Sequence, residues 1–294
     1  MTLNNQELSL NIHNNRAWFL VLPSVLLLAF VAVIPLISVI NYSFHDIFTQ
    51  ESKYWVGMEW YREILGTERF WASFGRSLLF SFLILLVEIP LGIFIALSMP
   101  KNSTLVAICF VLMSLPLLIP WNMIPIIWYT FISQEYVNEF FVFLGIELDW
   151  KFNAVHTWFA IVLMDAWHWT SLVVVLCYSS LTTISNAYYQ AAAIDRASRW
   201  SVFRFIQLPK MVGVLMMAIL LRFMDSFMIY TEAYRLNAGG PGNSTMFLAM
   251  DLGEDIFSFN YGPAAARSVI YFLVILTVSW VFKTALALHG SREA

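Results

Sequence analysis

The sequence predicts an all-α membrane protein with six transmembrane helices, and three observations predict it. Of 294 residues, 60% are hydrophobic and only 12% charged, where a soluble domain carries about 45–50% apolar and about 25% charged residues. Mean hydropathy is +0.72. Six apolar stretches reach the roughly 20 residues that a helix needs to cross a bilayer. The net charge of −3, from 16 basic and 19 acidic residues, argues against nucleic acid as a partner. The two cysteines, Cys109 and Cys177, sit inside apolar runs, which supports neither a disulfide framework nor a thiolate metal site.

The six stretches are residues 17–42, 77–99, 104–132, 155–178, 212–230 and 264–288. The first is too long for the core of a signal peptide and has no small-residue cleavage site after it, so it reads as a retained span. Pro23 and Pro35 interrupt it, and Pro116, Pro120 and Pro125 interrupt the third. A membrane tolerates such breaks only where neighbouring helices or a water-filled cavity satisfy the freed carbonyls, which makes the third span a candidate pathway helix. The chain thus divides into an N-terminal segment, 1–16, one six-helix domain, 17–288, and a short tail, 289–294.

Basic residues in short loops favour the cytoplasm. With the N-terminus inside, the inner segments carry Arg16, Lys101, Arg196, Arg199, Arg204, Lys210, Lys283 and Arg292 against Glu7, Asp195 and Glu293. The outer loops are then predominantly acidic, counting Glu232 at the membrane edge. Both termini are predicted to be cytoplasmic.

The longest inner loop, residues 186–210, reads as a helix-forming run, a turn and a Leu-Pro stop before the fifth span. Ala191, Ala192 and Ala193 have high helix propensity, and Trp200, Phe203 and Ile206 fall at helical spacing. An amphipathic helix on the membrane surface is the plain reading. Three alanines also leave a narrow helix able to enter a groove on another protein.

This stretch resembles the cytoplasmic EAA loop of permeases in binding-protein-dependent ABC importers. That pattern is Glu-Ala-Ala, two residues, Asp-Gly-Ala, then a spaced Phe, an Ile and Leu-Pro. The chain matches at Ala191, Ala192, Asp195, Ala197, Phe203, Ile206, Leu208 and Pro209, and departs at Gln190 for the usual Glu and Arg196 for the usual Gly. Residues 236–245, LNAGGPGNST, look like the Leu-Thr-x-Gly-Gly-Pro stretch of the carbohydrate subfamily that includes maltose and glycerol-3-phosphate permeases. A third match lies at Leu115-Pro116 with Pro120.

The resemblance implies a type I ABC importer permease fold in a bacterial inner membrane. It further implies a second permease as heterodimer partner, ATPase subunits into whose clefts the coupling helix inserts, and an external substrate-binding protein that delivers cargo. The sequence has no G-x-x-x-x-G-K-[ST] phosphate loop, so ATP and Mg belong to the partner ATPase and this chain is expected to carry no cofactor and no enzyme activity. Gln190 can offer the ATPase only a neutral hydrogen bond where the usual Glu makes a charge-assisted one. Arg196 must adopt the backbone that glycine would take, or bend the turn differently.

Ionisable residues inside a bilayer are costly and mark function. Asp165, His168, Trp169 and Leu172 share one face of the fourth span, and Arg222, Asp225, Ser226 and Ile229 one face of the fifth. Aligned on the EAA loop, Asp165, His168, Trp169, Leu172, Asp225, Ser226 and Ile229 fall where sugar importers of this family line their cavity. Carboxylates accept hydroxyl protons and an indole offers a flat apolar face, which suits a small polyol or sugar, with glycerol and sugar alcohols favoured. Arg222 and Asp225, three residues apart, can instead form an intrahelical ion pair. Glu88 in the second span has no partner nameable from sequence. Trp121 and Asn122, beside Pro120, are candidates for the same cavity.

Outside, residues 43–76 predict a short surface helix that touches the binding protein. The Gly-Gly-Pro stretch predicts a bent loop, not a phosphate cradle, with Tyr234, Arg235, Asn237, Gly239, Gly240 and Pro241 as candidate docking residues. Two other classes compete. A membrane enzyme would need a motif such as H-E-x-x-H or G-x-S-x-G, and neither occurs. A proton-coupled secondary transporter would use Asp165 as a relay, commonly within a repeated chain, and the halves show no repeat.

Overall fold

The computed structural model describes residues 18–47, 52–100, 103–143, 145 and 149–293, and side chains through residue 284. The N-terminal segment 1–16, with Arg16, and Lys101 lie outside the described residues. Five helices are long and apolar enough to cross a membrane: Phe19–Tyr42, Glu68–Ser98, Ala154–Thr182, Arg199–Phe227 and Tyr261–Thr284. The expected third span is a broken pair, Ser103–Leu118 and Trp121–Ile132, bent by 77°. The cause is visible in sequence: Pro120 has no N–H to donate and disfavours helical backbone at Ile119 before it.

Two span limits are corrected. The second helix begins at Glu68, capped by the Thr67 hydroxyl, which accepts from the Phe70 N–H, so charged Arg69 and Arg76 belong to the same rod as the apolar core. The fifth begins at Arg199, and Leu208-Pro209 does not stop it. A π-helical turn at Phe203–Gln207 leads into Leu208–Phe227 with Pro209 just after it, so the widened turn takes up the proline ring and its missing N–H inside a continuous span. The last helix runs to Glu293, past the expected end of the sixth span at residue 288.

The second, fourth and fifth spans make the centre of the bundle. Gly92 lets the second and fourth spans approach closely: a Cβ there would sit 2.5 Å from Val173 Cγ1. Ser73, Ser77, Ser81 and Ala96 continue the narrow face, all buried, as expected where helices associate by close backbone approach rather than by hydrophobic drive. One apolar cluster, with Phe80, Ile161, Met164 and Phe247, packs one half of the bundle; Ala96, Val173, Cys177 and Met211 pack the other. The first span is largely bare, and Ile34–Tyr42 rests on the last helix. Its exposed Leu, Val and Phe side chains suit a lipid environment.

The fold is not wholly helical. Between the first two spans, His45–Ile47 pairs antiparallel with Lys53–Trp55, followed by the expected short helix, Glu59–Gly66. The Trp60 indole donates to the His45 carbonyl at 3.1 Å, and the buried Tyr61 hydroxyl donates to Ser43 Oγ at 2.6 Å, tying this layer to the end of the first span.

Candidate functional site

At the middle of the bundle three carboxylates from three helices meet one guanidinium. Arg222 Nε donates to Glu88 Oε2 at 2.6 Å, and Nη2 donates to Glu88 Oε1 at 3.1 Å. Nη1 donates to Asp225 Oδ2 at 2.5 Å, and Nη2 also bonds Asp165. The planar fork of arginine makes this possible, since five donors in fixed directions can serve several acceptors at once. The Trp169 ring lies over the same guanidinium, 4.8 Å from Cζ to the ring centre, a cation–π contact strengthened by desolvation. The intrahelical Arg222–Asp225 pair is therefore real but is the most exposed arm of a larger knot, and Glu88 finds its partner 134 residues away.

Above this knot lies a cavity of about 120 Å³ lined by Trp121, Asp165, Trp169, Asp225, Met228, Ile229, Tyr230, Thr231 and Glu232. Three carboxyls and three aromatic rings face it, and among the described residues no basic side chain lines it. Trp121 enters at the break in the third span, where the 77° bend turns the helix end inward. Carboxyls that accept hydroxyl protons beside flat apolar rings can hold a small hydroxylated solute. Among the described residues no grouping of His, Cys, Asp and Glu suits a metal ion.

Of the sequence-derived candidates, Trp121, Asp165, Trp169, Asp225 and Ile229 line the cavity together. Ser226 is buried and donates to the Phe223 carbonyl at 3.3 Å within its own helix. His168 is buried with Nδ1 unpartnered and stacks edgewise on Trp169 at 4.7 Å, so it supports the cavity wall without forming it. Leu172 is half-buried a turn further along, and Asn122 is exposed beside Trp121. Sequence reasoning missed Glu232, placed at the membrane edge by charge counting. It is 8% exposed, and burial first, then the nearby Asp165 carboxylate, push its carboxyl up to about 7.

The fourth and fifth spans each contain 29 residues, about 43 Å of helix at 1.5 Å per residue. They join at one end through Asn186–Ile194, a helix started by the Ser185 cap on the Ala187 N–H at 3.4 Å. The turn after it closes with Ala197 N–H donating to the Ala192 carbonyl at 2.9 Å. Arg196 takes φ 51°, the left-handed backbone of the usual glycine, so the turn keeps its shape at a cost of about 1–2 kcal/mol. Ser198 then caps the fifth span, its hydroxyl accepting from the Ser201 N–H at 3.1 Å. Gln190, Ala191, Asp195 and Ala197 are exposed, while Ala192 is buried by this chain itself. Ile194, absent from the sequence candidates, is 82% exposed at the tip. Phe203 and Leu208 are half-buried in the base of the fifth span and Pro209 is exposed.

At the opposite end, the fifth span leads through Thr231–Asn237 into the Gly-Gly-Pro stretch, a bent loop with a cis Gly240-Pro241 bond and positive φ at Ala238, Gly239, Gly242 and Asn243. Gly239 is buried against Met246 and Met250, and the Gly240 N–H donates to the Asn237 carbonyl at 2.7 Å. Asn237 itself donates to the Lys151 carbonyl at 2.9 Å. These residues shape the loop, as their backbone demands; Arg235 and Tyr234 are the exposed ones, with Pro241 half-buried beside them. The following helix, Leu248–Phe257, is moored by Arg69 to Asp251 at 2.8 Å and by Arg267 to Asp255 at 2.5 Å.

Residues 88–286 match the family described as binding-protein-dependent transport system inner membrane component. The trehalose/maltose transport system permease protein MalF of Thermococcus litoralis is 27% identical over 270 residues, covering 90% of this chain and 91% of that protein. The sulfoquinovosyl glycerol transport system permease protein SmoG of Agrobacterium fabrum is 28% identical, covering 90% and 88%. Among solved structures, a bacterial ABC transporter involved in import of the acidic polysaccharide alginate superposes with a TM-score of 0.78 at 18% identity, over 93% of this chain and 96% of that one.

Proposed function

This chain belongs to the family of binding-protein-dependent transport system inner membrane components, and from that premise we propose that it is the permease subunit of an ATP-driven importer of a small carbohydrate or polyol. The observation that carries the reading is mechanical: one rigid connection, Asn186–Ile194 and the Arg196 turn, joins the two spans that bear Asp165, Trp169, Arg222 and Asp225. A push on the exposed tip at Ala191 and Ile194 is delivered to the cavity along packed helices, about 25 Å of the fourth span from Thr182 to Asp165 and about 39 Å of the fifth from Arg199 to Asp225.

In this reading the connection faces the cytoplasm and docks into an ATPase subunit that binds ATP and Mg. A second permease closes the other side of the cavity, and a substrate-binding protein meets the Gly-Gly-Pro face around Tyr234 and Arg235. The names of the relatives support sugar cargo: trehalose and maltose, sulfoquinovosyl glycerol, and diacetylchitobiose for a 27% identical permease of Streptomyces coelicolor. A cavity of about 120 Å³ on this side suits a small solute, with glycerol and sugar alcohols the first candidates. Asp165 and Asp225 accept hydroxyl protons and Trp169 and Trp121 cover the carbon chain.

Uptake of radiolabelled glycerol, sugar alcohols and disaccharides by cells carrying Asp165→Ala or Asp225→Ala tests the site. Loss of uptake for one of these solutes in both variants is expected; unchanged uptake of the solute the wild type accumulates would show that the site lies elsewhere.

A further inference from the structure

Glu232 opens the helix Thr231–Asn237 and lies outside every membrane span, yet it forms part of the cavity wall with Asp165 and Asp225. Its neighbours come from each side: Asp165 and Trp169 on the fourth span, Arg222 and Asp225 on the fifth, Tyr230 before it, and the uncharged Trp121 at the break in the third. Arg222 is already shared among Glu88, Asp165 and Asp225, so it offers Glu232 only a distant positive charge. A carboxyl in this position has no ion pair to make and faces the solute space directly. We propose that Glu232 is a specificity-determining residue of the cavity, in reach of the solute, and that with Asp165 and Asp225 it admits uncharged hydroxylated solutes and turns away those bearing a carboxylate or sulfonate.

The reasoning is electrostatic and rests on the importer reading above. An anion entering a space to which this chain contributes three carboxyls and no cation gives up its hydration and meets like charge, whereas an uncharged polyol gives up only hydrogen bonds that the same oxygens can replace. Burial and the Asp165 carboxylate hold Glu232 near 7, offset by its own backbone N–H, with Asp225 adding to the rise and Arg222 opposing it. Near neutrality Glu232 therefore alternates between donating an O–H to a solute oxygen and accepting from a solute hydroxyl, both of which a polyol provides.

The test uses the full-length wild-type chain with its co-purifying subunits, without binding protein, and dicyclohexylcarbodiimide, which reacts with protonated carboxyls in apolar surroundings. Adducts at Glu232 are measured by mass spectrometry of the peptide. Labelling is expected at pH 6 and should fall about tenfold per unit above pH 7. At pH 8, where Glu232 is mostly charged, glucitol should slow the remaining labelling at least about threefold while glucuronate at equal concentration leaves it nearly unchanged. Equal protection by both, protection by neither, or labelling that ignores pH would overturn the assignment. ATP-driven uptake in proteoliposomes is measured in parallel at pH 8, where the wild-type Glu232 is mostly charged, with Glu232→Gln, which should admit anionic sugars that the wild type refuses. If wild-type uptake stands while the labelling arm fails, the role of Glu232 falls alone; if the wild type shows no ATP-driven uptake, the importer reading falls instead.

Discussion

Removing Arg222 isolates the energetics of the central knot. Its side chain is 1% exposed, Glu88 0% and Asp165 4%, whereas Asp225 is 35% exposed. Arg222→Met keeps most of the volume but leaves two carboxylates buried without a counter-charge. Breaking a buried pair in this way costs about 3–5 kcal/mol, and a chain approaching this size shifts its thermal midpoint by about 2–4 °C per kcal/mol, so a fall of about 6–20 °C is expected. The assay is the thermal midpoint of the detergent-purified complex, followed by size-exclusion chromatography after heating. Asp225→Asn should cost less than about 1 kcal/mol, a midpoint shift of under about 4 °C, because water screens that arm. The combination Arg222→Met, Glu88→Gln and Asp165→Asn, which removes the three deeply buried charges of the knot, should recover at least half of the loss. A shift under about 2 °C for Arg222→Met, or a triple variant no better than the single one, would refute the picture of a charge-balanced core.

Three further outcomes follow from the packing. Gly92→Ala places a Cβ against Val173 and should cost about 1–3 kcal/mol by overpacking, recovered by a second change, Val173→Ala, when thermal midpoints are compared. Ile194→Glu should abolish co-purification of the ATPase with the thermal midpoint of the isolated chain unchanged, whereas Ala192→Glu should lower that midpoint too, since Ala192 is covered from within. Arg196→Gly relieves a left-handed residue at φ 51° and should raise stability by about 1 kcal/mol, with ATPase co-purification retained.

Much of the architecture was legible because the bilayer imposes one simple rule, a long apolar run per crossing, and the prolines of the third span marked its break. The coupling segment was legible because alanines, a turn and spaced aromatics leave a local pattern. Leu208-Pro209 misled because a proline inside a helix is tolerated where a π-turn just before it widens the backbone, as Phe203–Gln207 does here. The partner of Glu88 was illegible for a different reason: Arg222 is 134 residues distant, and only the packing of the second against the fifth span brings them together. Asp165 and Asp225 were found by face periodicity, which works along a single helix. Glu232 was lost because a charge count cannot distinguish an acid in an outer loop from one folded back into a cavity. The hairpin His45–Ile47 with Lys53–Trp55 is too short to leave alternation that a sequence reading can detect.

The most direct test of the account is a cysteine placed at Ile194 in a chain whose Cys109 and Cys177 are replaced by serine, within right-side-out vesicles. The account predicts that a membrane-impermeant maleimide fails to label residue 194 from outside, that an oxidant cross-links it to an ATPase cysteine, and that solute uptake stops when ATP is withdrawn. Labelling from the external face, or uptake by the chain with no ATPase present, would contradict it.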